Sequence, residues 1–131
     1  MSKTSVFISY DGADIHSKNQ LLIWNKDHEI NFDFYAGPLK IDVTSHDASS
    51  IKSLIRPQIA MSNCLLCIVG LATSKNAWIG WQIDVAAENE KKLVGVKLDK
   101  DYSTPVSLRD VGATWARSFD FEAIKAAINE H

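Results

Sequence analysis

The sequence predicts an α/β domain in which a parallel sheet of five strands is doubly wound, with helices on both faces. Five short apolar runs are interspersed with four segments of helical periodicity along the chain. Alternation of strand and helix is typical of parallel sheets, because each crossover helix returns the chain to the same edge of the sheet. The 131 residues, of which 46% are hydrophobic, suffice for one core, and we expect a single domain over residues 1–131.

Each predicted strand is a short run rich in aliphatic, β-branched or aromatic residues. Residues 30–34 alternate apolar and polar side chains, which indicates a half-exposed strand, whereas residues 64–70 form a continuous apolar run, which indicates a strand buried on both faces. The five predicted strands are Ser5–Ser9, Ile30–Phe34, Cys64–Gly70, Leu93–Leu98 and a weaker Ala113–Ala116.

Helical periodicity predicts the segments between the strands. Asp14 is the expected N-cap of the first helix, and either Asp47 or Ser45 that of the second. Pro57 interrupts the second helix, where it removes one backbone hydrogen bond and should kink the helix or start a new turn. The four predicted helices are Ile15–Lys26, a second from about Ala48, Ala77–Lys91 and Phe121–Asn129. Two long connections, 36–46 and 99–112, are candidate functional loops.

Charge and hydropathy exclude several classes of partner. Fourteen basic and 16 acidic residues give a net charge of −2, which supplies no field for binding nucleic acid or an anionic membrane. No apolar run approaches the roughly 20 residues of a membrane span. The first five residues lack the apolar segment of a secretion signal. We therefore expect a cytoplasmic protein without a membrane or nucleic-acid partner.

The two cysteines, Cys64 and Cys67, form a C-x-x-C motif, a spacing found in redox and zinc sites. Both lie within the predicted third strand, where positions three apart point to opposite faces of the sheet. Thiols on opposite faces cannot share one metal ion. We therefore expect both to be buried structural residues and predict no metal site.

Common catalytic and nucleotide-binding motifs are missing from the sequence. Neither G-x-G-x-x-G nor G-x-x-x-x-G-K-[ST] occurs. The third strand ends at Gly70, where a phosphoacceptor receiver domain would need an aspartate. The four histidines lie in polar segments and are expected at the surface rather than in a catalytic triad: His16, His28, His46 and His131.

Gln82 is a polar residue at a position where the helical pattern predicts burial. It falls one turn after Trp78, on the flank of an apolar stripe of the third helix. A buried amide needs partners, and two readings remain open, a neighbouring loop backbone or a ligand. The loops after the first and third strands, 10–14 and 71–78, flank the crevice where such folds bind ligands. The expected stripe is Ile79, Ile83, Ala86 and Ala87, and the expected solvent face is Gly80, Asp84, Glu88 and Lys91.

Three segments together resemble a TIR domain. They are Val6-Phe7-Ile8-Ser9-Tyr10, the apolar third strand that ends at Gly70, and the helix start Trp78-x-x-x-Gln82-Ile83. More narrowly, the chain resembles the bacterial TIR-like proteins of the Thoeris antiphage system over nearly its whole length. The resemblance implies a flavodoxin-like order of strands.

The resemblance also implies chemistry on NAD⁺ as substrate, with no further cofactor. Such enzymes act as NAD⁺ nucleosidases or ADP-ribosyl cyclases, which cleave the nicotinamide–ribose bond and release an ADP-ribose derivative that activates a separate effector protein. The family's catalytic glutamate corresponds to Gln82 in this chain. An amide keeps the shape of the acid but loses the charge that stabilises an oxocarbenium-like transition state. We therefore expect an inactive or poorly active form, from natural loss or from an engineered substitution.

The resemblance and the topology suggest further substrate contacts around Gln82. Trp78 would stack on the nicotinamide or adenine ring, although a tryptophan at a helix start is as often core packing. Ser9 and Tyr10 would lie at the mouth of the first loop, with Phe34 on the far side, and Asp11 would contact the substrate. Core or rim roles for these residues remain open. So do two other functions, a non-catalytic TIR interaction module that assembles with other TIR surfaces, as a homo-oligomer for example, and a nucleotide sensor.

Overall fold

A parallel sheet with strand order β2-β1-β3-β4-β5 forms the centre of the protein. The computed structural model describes residues 3–28, 32–37 and 46–130, and for residues 46 and 47 the backbone alone. The order 2-1-3-4-5 is that of flavodoxin-like folds, in which the chain reverses direction across the sheet between β1 and β3. The strands are β1 Ser5–Ser9, β2 Asp33–Ala36, β3 Cys64–Val69, β4 Lys92–Lys97 and β5 Thr114–Trp115. The predicted fold class is therefore confirmed.

In the part of the chain that the structure describes, four α-helices cover the sheet: α1 Ile15–Lys26, α2 His46–Met61, α3 Ala77–Glu88 and α4 Phe121–Asn129. The bounds of α1 and α4 are those predicted. The helix α2 continues through Pro57, so the proline does not end it, and Asp47 lies inside the helix rather than at its cap. Ser45, the alternative cap, and Ile30, the predicted start of the second strand, lie outside the described residues. None of the described helices is long and apolar enough to cross a membrane.

The helix α3 ends three residues before its predicted end at Lys91. Glu90 adopts a left-handed backbone with φ 56°. The Lys91 N–H donates to Ala86 O, and the Glu90 N–H donates to Ala87 O. This pair of bonds is a Schellman motif, in which glycine usually takes the left-handed position. Because residue 90 is glutamate, the sequence lacks the glycine that would indicate the end of the helix.

The sheet separates two apolar clusters, because alternate side chains of each strand point to opposite faces. Val6 and Ile8 pack with α1 and α4 on one face, and Phe7 packs with α2 and α3 on the other. Cys64 belongs to the first cluster and Cys67 to the second, and both are free and buried. Burial raises the pKa of the Cys64 thiol to about 11 and that of Cys67 to about 12. Their predicted burial on opposite faces is confirmed.

The predicted surface positions of three residues were wrong. Ala87, expected in the apolar stripe of α3, is exposed, while Gly80, expected on the solvent face, is half-buried. His28, expected at the surface, is half-buried, and its ring stacks on Phe121 with the centroids 4.0 Å apart. Its Nε2 lies 3.4 Å from a carboxylate oxygen of Glu122. His28 is half-buried because the end of α1 packs against the start of α4.

Candidate functional site

The crevice predicted from topology lies at the carboxyl ends of β1 and β3. Each strand is followed there by a short 3₁₀ turn, Gly12–Asp14 after β1 and Thr73–Lys75 after β3. The second turn is closed by buried Thr73, whose hydroxyl oxygen accepts from the Gly70 N–H at 2.8 Å. Adjacent strands that run to helices on opposite sides leave such a gap between their loops. Side chains from both loops and from α3 therefore meet at this edge of the sheet.

Gln82 is buried at this edge, with 3% of its surface exposed. Its Oε1 accepts a hydrogen bond from the Ser9 hydroxyl at 2.6 Å, and Ser9 itself is 1% exposed. Ser9 shares a face of the sheet with Phe7, and α3 packs on that face. Such a short bond between buried groups is well formed. The Gln82 Oε1 is therefore bonded to a side chain of β1 rather than to a loop backbone.

A hydrogen-bond chain ties the loop after β1 to the start of α3. Asp11 accepts from the Ala13 N–H and from the Asn76 side-chain amide, each at 2.9 Å. The Asn76 side-chain oxygen then accepts from the N–H groups of Trp78 and Ile79, at 3.0 and 3.2 Å. Asn76 is thus the N-cap of α3. Asp11, predicted as a substrate contact, holds the rim of the crevice in place.

We expect Asn76→Ala to lower the free energy of unfolding by about 0.5–2 kcal/mol, the usual cost of losing an N-cap. Denaturation with urea would measure the loss. Asn76→Ser is the matched control, since a serine oxygen can still cap α3 but cannot donate to Asp11 as the amide does. Equal losses in both variants would mean that the bond to Asp11, rather than the cap, supplies the stability.

Asp14 has a different role from the predicted helix cap. It precedes α1, but its side chain makes no capping hydrogen bond, and its backbone at φ −103° and ψ 21° is not the extended conformation typical of a cap. The carboxylate lies against Gly70, where an added Cβ would be 2.0 Å from Asp14 Oδ2. Among the described residues no group hydrogen-bonds to this buried Oδ2. Burial, and secondarily the nearby Asp11 charge, raises the pKa of Asp14.

We expect Asp14→Asn to stabilise the protein at neutral pH. A carboxyl whose pKa is raised on folding binds its proton more tightly in the folded state, so its ionisation destabilises the fold as pH rises above the unfolded pKa. The gain at pH 7 should be about 1 kcal/mol, the low end for an unsatisfied buried group because Asp14 is only half-buried. Thermal unfolding between pH 3 and pH 7 would measure it, and the gain should vanish at the acid end. Asp84→Asn, on the exposed side of α3, controls for removal of one negative charge.

The structure divides the predicted site residues between the two faces of the sheet. Tyr10 is 7% exposed and packs in the cluster with α1 and α4, and Phe34 packs against the same cluster. Phe34 pairs with Val6 in the β1–β2 register, so it follows the face of Val6 rather than that of Ser9. Tyr10 and Phe34 therefore lie on the opposite face of the sheet from Ser9 and α3. The aromatic residue of β2 on the Ser9 face is Tyr35, whose ring lies 5.5 Å from that of Phe7.

Trp78 lies on the same side as Gln82 but is 3% exposed. Its indole stacks on Trp81, with ring centroids 4.9 Å apart and planes 5° apart. Lys52 and Arg56 of α2 lie over the Trp81 ring at 5.3 and 5.2 Å. Trp78 therefore has the core-packing role, and in this conformation it offers no exposed face to a substrate ring.

The profile of the Thoeris protein ThsB, TIR-like domain, matches residues 7–103. The match covers well over half of the chain and includes the last three residues of β1, all of β3, Gln82 and both loops of the crevice. This chain belongs to the ThsB TIR-like family. The resemblance seen in the sequence is thereby confirmed, and the protein is of the TIR type found in Thoeris antiphage defence.

The fold of this ThsB-type domain also occurs in a 2-deoxyribosyltransferase from the psychrotolerant bacterium Bacillus psychrosaccharolyticus. The two structures superpose with a TM-score of 0.64 over 98% of this chain and 93% of that chain, at 8% sequence identity. Likeness at that identity concerns the fold alone. No curated protein sequence matches the chain.

A small cavity of about 290 Å³ adjoins the start of α3 in this ThsB-type domain. Its wall includes Asn76 and Gly80, together with the turn that contains Val106 and Ser107. Gln82 is not part of that wall. Gln82 is 3% exposed and bonded to Ser9, so little of its side chain reaches the surface.

Proposed function

We propose that this chain is an NAD⁺-processing enzyme of the TIR type, which cleaves the nicotinamide–ribose bond, and that Gln82 leaves it poorly active as written. The observation that carries the proposal is the placement of Gln82. Its side chain is buried on α3 at the carboxyl end of β1, held at 2.6 Å by the Ser9 hydroxyl. The ThsB family match supports the same reading.

The chemistry explains why an acid belongs at this position. Departure of nicotinamide from NAD⁺ develops positive charge on the ribose, and a carboxylate at short range stabilises it. Ser9 would donate to one oxygen of that carboxylate, as it now donates to the Gln82 Oε1, and would leave the other oxygen for the sugar. The glutamine amide makes the same bond to Ser9 without the negative charge. Binding of substrate is therefore retained better than turnover.

Substrate reaches Gln82 only when the rim of the crevice opens. The amide is 3% exposed, and the Asp11–Asn76 bond joins the two sides of the rim. A loop that closes over a site excludes water and commits the substrate, and such closure is common in enzymes that handle reactive intermediates. We infer that the product is an ADP-ribose derivative that acts as a signal for a separate effector.

The test is an assay of NAD⁺ with the chain as written and with Gln82→Glu, followed by chromatography of nicotinamide and the ribose product. Turnover that appears or rises with the glutamate supports the enzyme. The acceptor of the ribose, water or an internal hydroxyl, is read from the product.

The second candidate is a TIR interaction module that does no chemistry. Two observations favour it: position 82 carries glutamine instead of an acid, and this side chain is buried. A Gln82→Glu variant that is folded and assembled but does not cleave NAD⁺ would support the interaction module. A nucleotide sensor would instead bind NAD⁺ in both variants without turnover in either.

A further inference from the structure

A second cavity lies at the edge of the sheet where β4 and β5 end. Its volume is about 730 Å³, inside the range of roughly 300–1,000 Å³ typical of small-molecule sites. Its wall is built from the end of β4, the connection that follows, and β5 with the residues after it. Neither Ser9 nor Gln82 lines it. The cavity is therefore a separate feature from the crevice of the proposed reaction.

The wall of this cavity is strongly basic in a chain that is acidic as a whole. It carries four basic side chains, Lys97, Lys100, Arg109 and Arg117, and one acidic side chain, Asp110. The chain as a whole has a net charge of −2. Both ion pairs within 4 Å among the described residues lie elsewhere, so neither neutralises these cations. Four cations brought together with a single counter-charge repel one another, and an anion relieves that repulsion.

Arg117 has an acidic neighbour outside the cavity, Asp120. Arg117 contributes to the lowered pKa of Asp120, but the larger causes are hydrogen bonds from the Ser118 hydroxyl and the Ala123 N–H. The Asp120 carboxylate is thus engaged mainly as the N-cap of α4. The guanidinium of Arg117 remains available to a ligand in the cavity.

Trp115 supplies an aromatic surface in the same wall. It is 39% exposed, and its ring lies over Gly95, its partner in the β4–β5 register. A Cβ at position 95 would lie 2.6 Å from the ring, so only glycine lets the indole lie so close to the sheet. Lys97 Nζ is 5.8 Å from the ring centroid. An exposed tryptophan face beside cations is well suited to stack on a nucleobase.

We propose that this cavity binds a nucleotide with two or more phosphate groups. Arginine binds phosphate oxygens in pairs through its planar guanidinium, and lysine adds point charge. Arg109, Arg117 and Lys100 would hold the phosphates, and Trp115 would stack on the base. Asp110, the single acid in the wall, would accept hydrogen bonds from the ribose hydroxyls. This combination of cations, ring and carboxylate matches the three parts of a nucleotide.

Calorimetric titration with ADP tests the proposal, with adenosine and inorganic pyrophosphate as partial probes. We expect ADP to bind more tightly than either. The affinity for ADP should fall as salt is raised, since the phosphate contacts are electrostatic. Arg109→Gln and Arg117→Gln should each weaken ADP binding by about tenfold or more, the effect of losing a hydrogen bond to a charged group.

Arg56→Gln is the matched control, because it removes the same charge from α2, where Arg56 lies over Trp81 rather than in the cavity. We expect its ADP affinity to stay within about twofold, the scale of a distant screened charge. Circular dichroism would verify that each variant is folded. Trp115→Leu should weaken ADP binding and leave pyrophosphate binding unchanged.

Three results would overturn the proposal. One is no heat of binding with ADP at millimolar concentration. Another is an equal loss in the cavity variants and in Arg56→Gln, which would indicate attraction by overall charge. The third is ADP binding that survives both cavity substitutions, which would place the nucleotide in the Gln82 crevice or elsewhere.

Discussion

Gln82→Glu should raise the rate of nicotinamide release from NAD⁺ by about 100- to 1,000-fold, the size of effect seen when one preorganised electrostatic group is removed from an active site. The substitution keeps the length of the side chain and its bond to Ser9, and changes only one terminal group. Its effect is therefore on charge at the ribose rather than on the fold. Single-turnover measurements with saturating NAD⁺ would give the rate without the contribution of binding.

The pH dependence and two further variants separate catalysis from structure. Burial raises the pKa of a carboxyl group, so the rate with Gln82→Glu should increase as pH rises through that pKa. Gln82→Ala should stay inactive. The double variant Ser9→Ala with Gln82→Glu should be slower than Gln82→Glu alone, because it loses the hydrogen bond that orients the acid. A rate with Gln82→Ala equal to that with Gln82→Glu would refute the catalytic role of position 82.

Gly95→Ala should lower the free energy of unfolding by about 1–3 kcal/mol, the usual cost of inserting a methyl group into a packed site. The new Cβ would lie 2.6 Å from Trp115 Cζ3 and 2.8 Å from Cε3 and Cη2. Real carbon atoms do not approach so closely, so the indole must leave the sheet. We expect the short strand β5, only Thr114–Trp115, to shift with it. Urea denaturation would measure the loss of stability.

Gly80→Ala is the matched control for Gly95→Ala. Gly80 lies inside α3, and an added Cβ would meet only Ser107 Oγ at 3.6 Å, an ordinary contact. Alanine is preferred over glycine in a helix interior by about 0.5–1 kcal/mol, so this variant should be as stable as the parent or more so. Equal destabilisation by both substitutions would mean that the contact with Trp115 is not the cause.

The sheet and its helices could be predicted because the apolar pattern changes period wherever the structure changes. The runs 5–9 and 64–70 read as strands, and both are strands within one residue. The end of α3 could not be predicted, because Glu90 adopts the left-handed conformation after the helix. Glycine usually occupies that position and marks the helix end in a sequence. The end of a helix depends on local backbone geometry and is therefore harder to predict from a sequence than the presence of the helix, which follows from the periodicity of its apolar residues.

The position of Gln82 could be predicted, but its neighbours could not. Helical period and strand order place it beside the crevice, whereas its partner depends on which residues of β1 face α3. Alternation within β2 predicts two faces without saying which one Ser9 shares, so the sequence alone does not place Phe34 on one face or the other. Only the pairing of Val6 with Phe34 decides that. In parallel sheets this register is fixed by tertiary packing rather than by a local turn.

The role of Asp14, a polar residue, could likewise not be predicted from the sequence. An aspartate before a helix is usually its cap, and the sequence offers no reason to expect otherwise. The preceding 3₁₀ turn gives the capping role to Asp11, whose carboxylate accepts from Ala13. Asp14 is left pointing at Gly70, a residue nearly 60 positions away in sequence. Its environment depends on a long-range contact that local patterns do not encode.

The hydrogen bonds from Asp11 through Asn76 to the first amides of α3 make the exchange of two backbone hydrogens sensitive to the state of the crevice. The N–H groups of Trp78 and Ile79 have no carbonyl of their own helix to bond to, and the Asn76 side chain shields them. Any event that pulls the β1 loop away from α3 strains the asparagine that protects both. Deuterium would then enter at these two positions earlier than in the strands of the sheet, so hydrogen exchange can time the opening of the rim without a substrate.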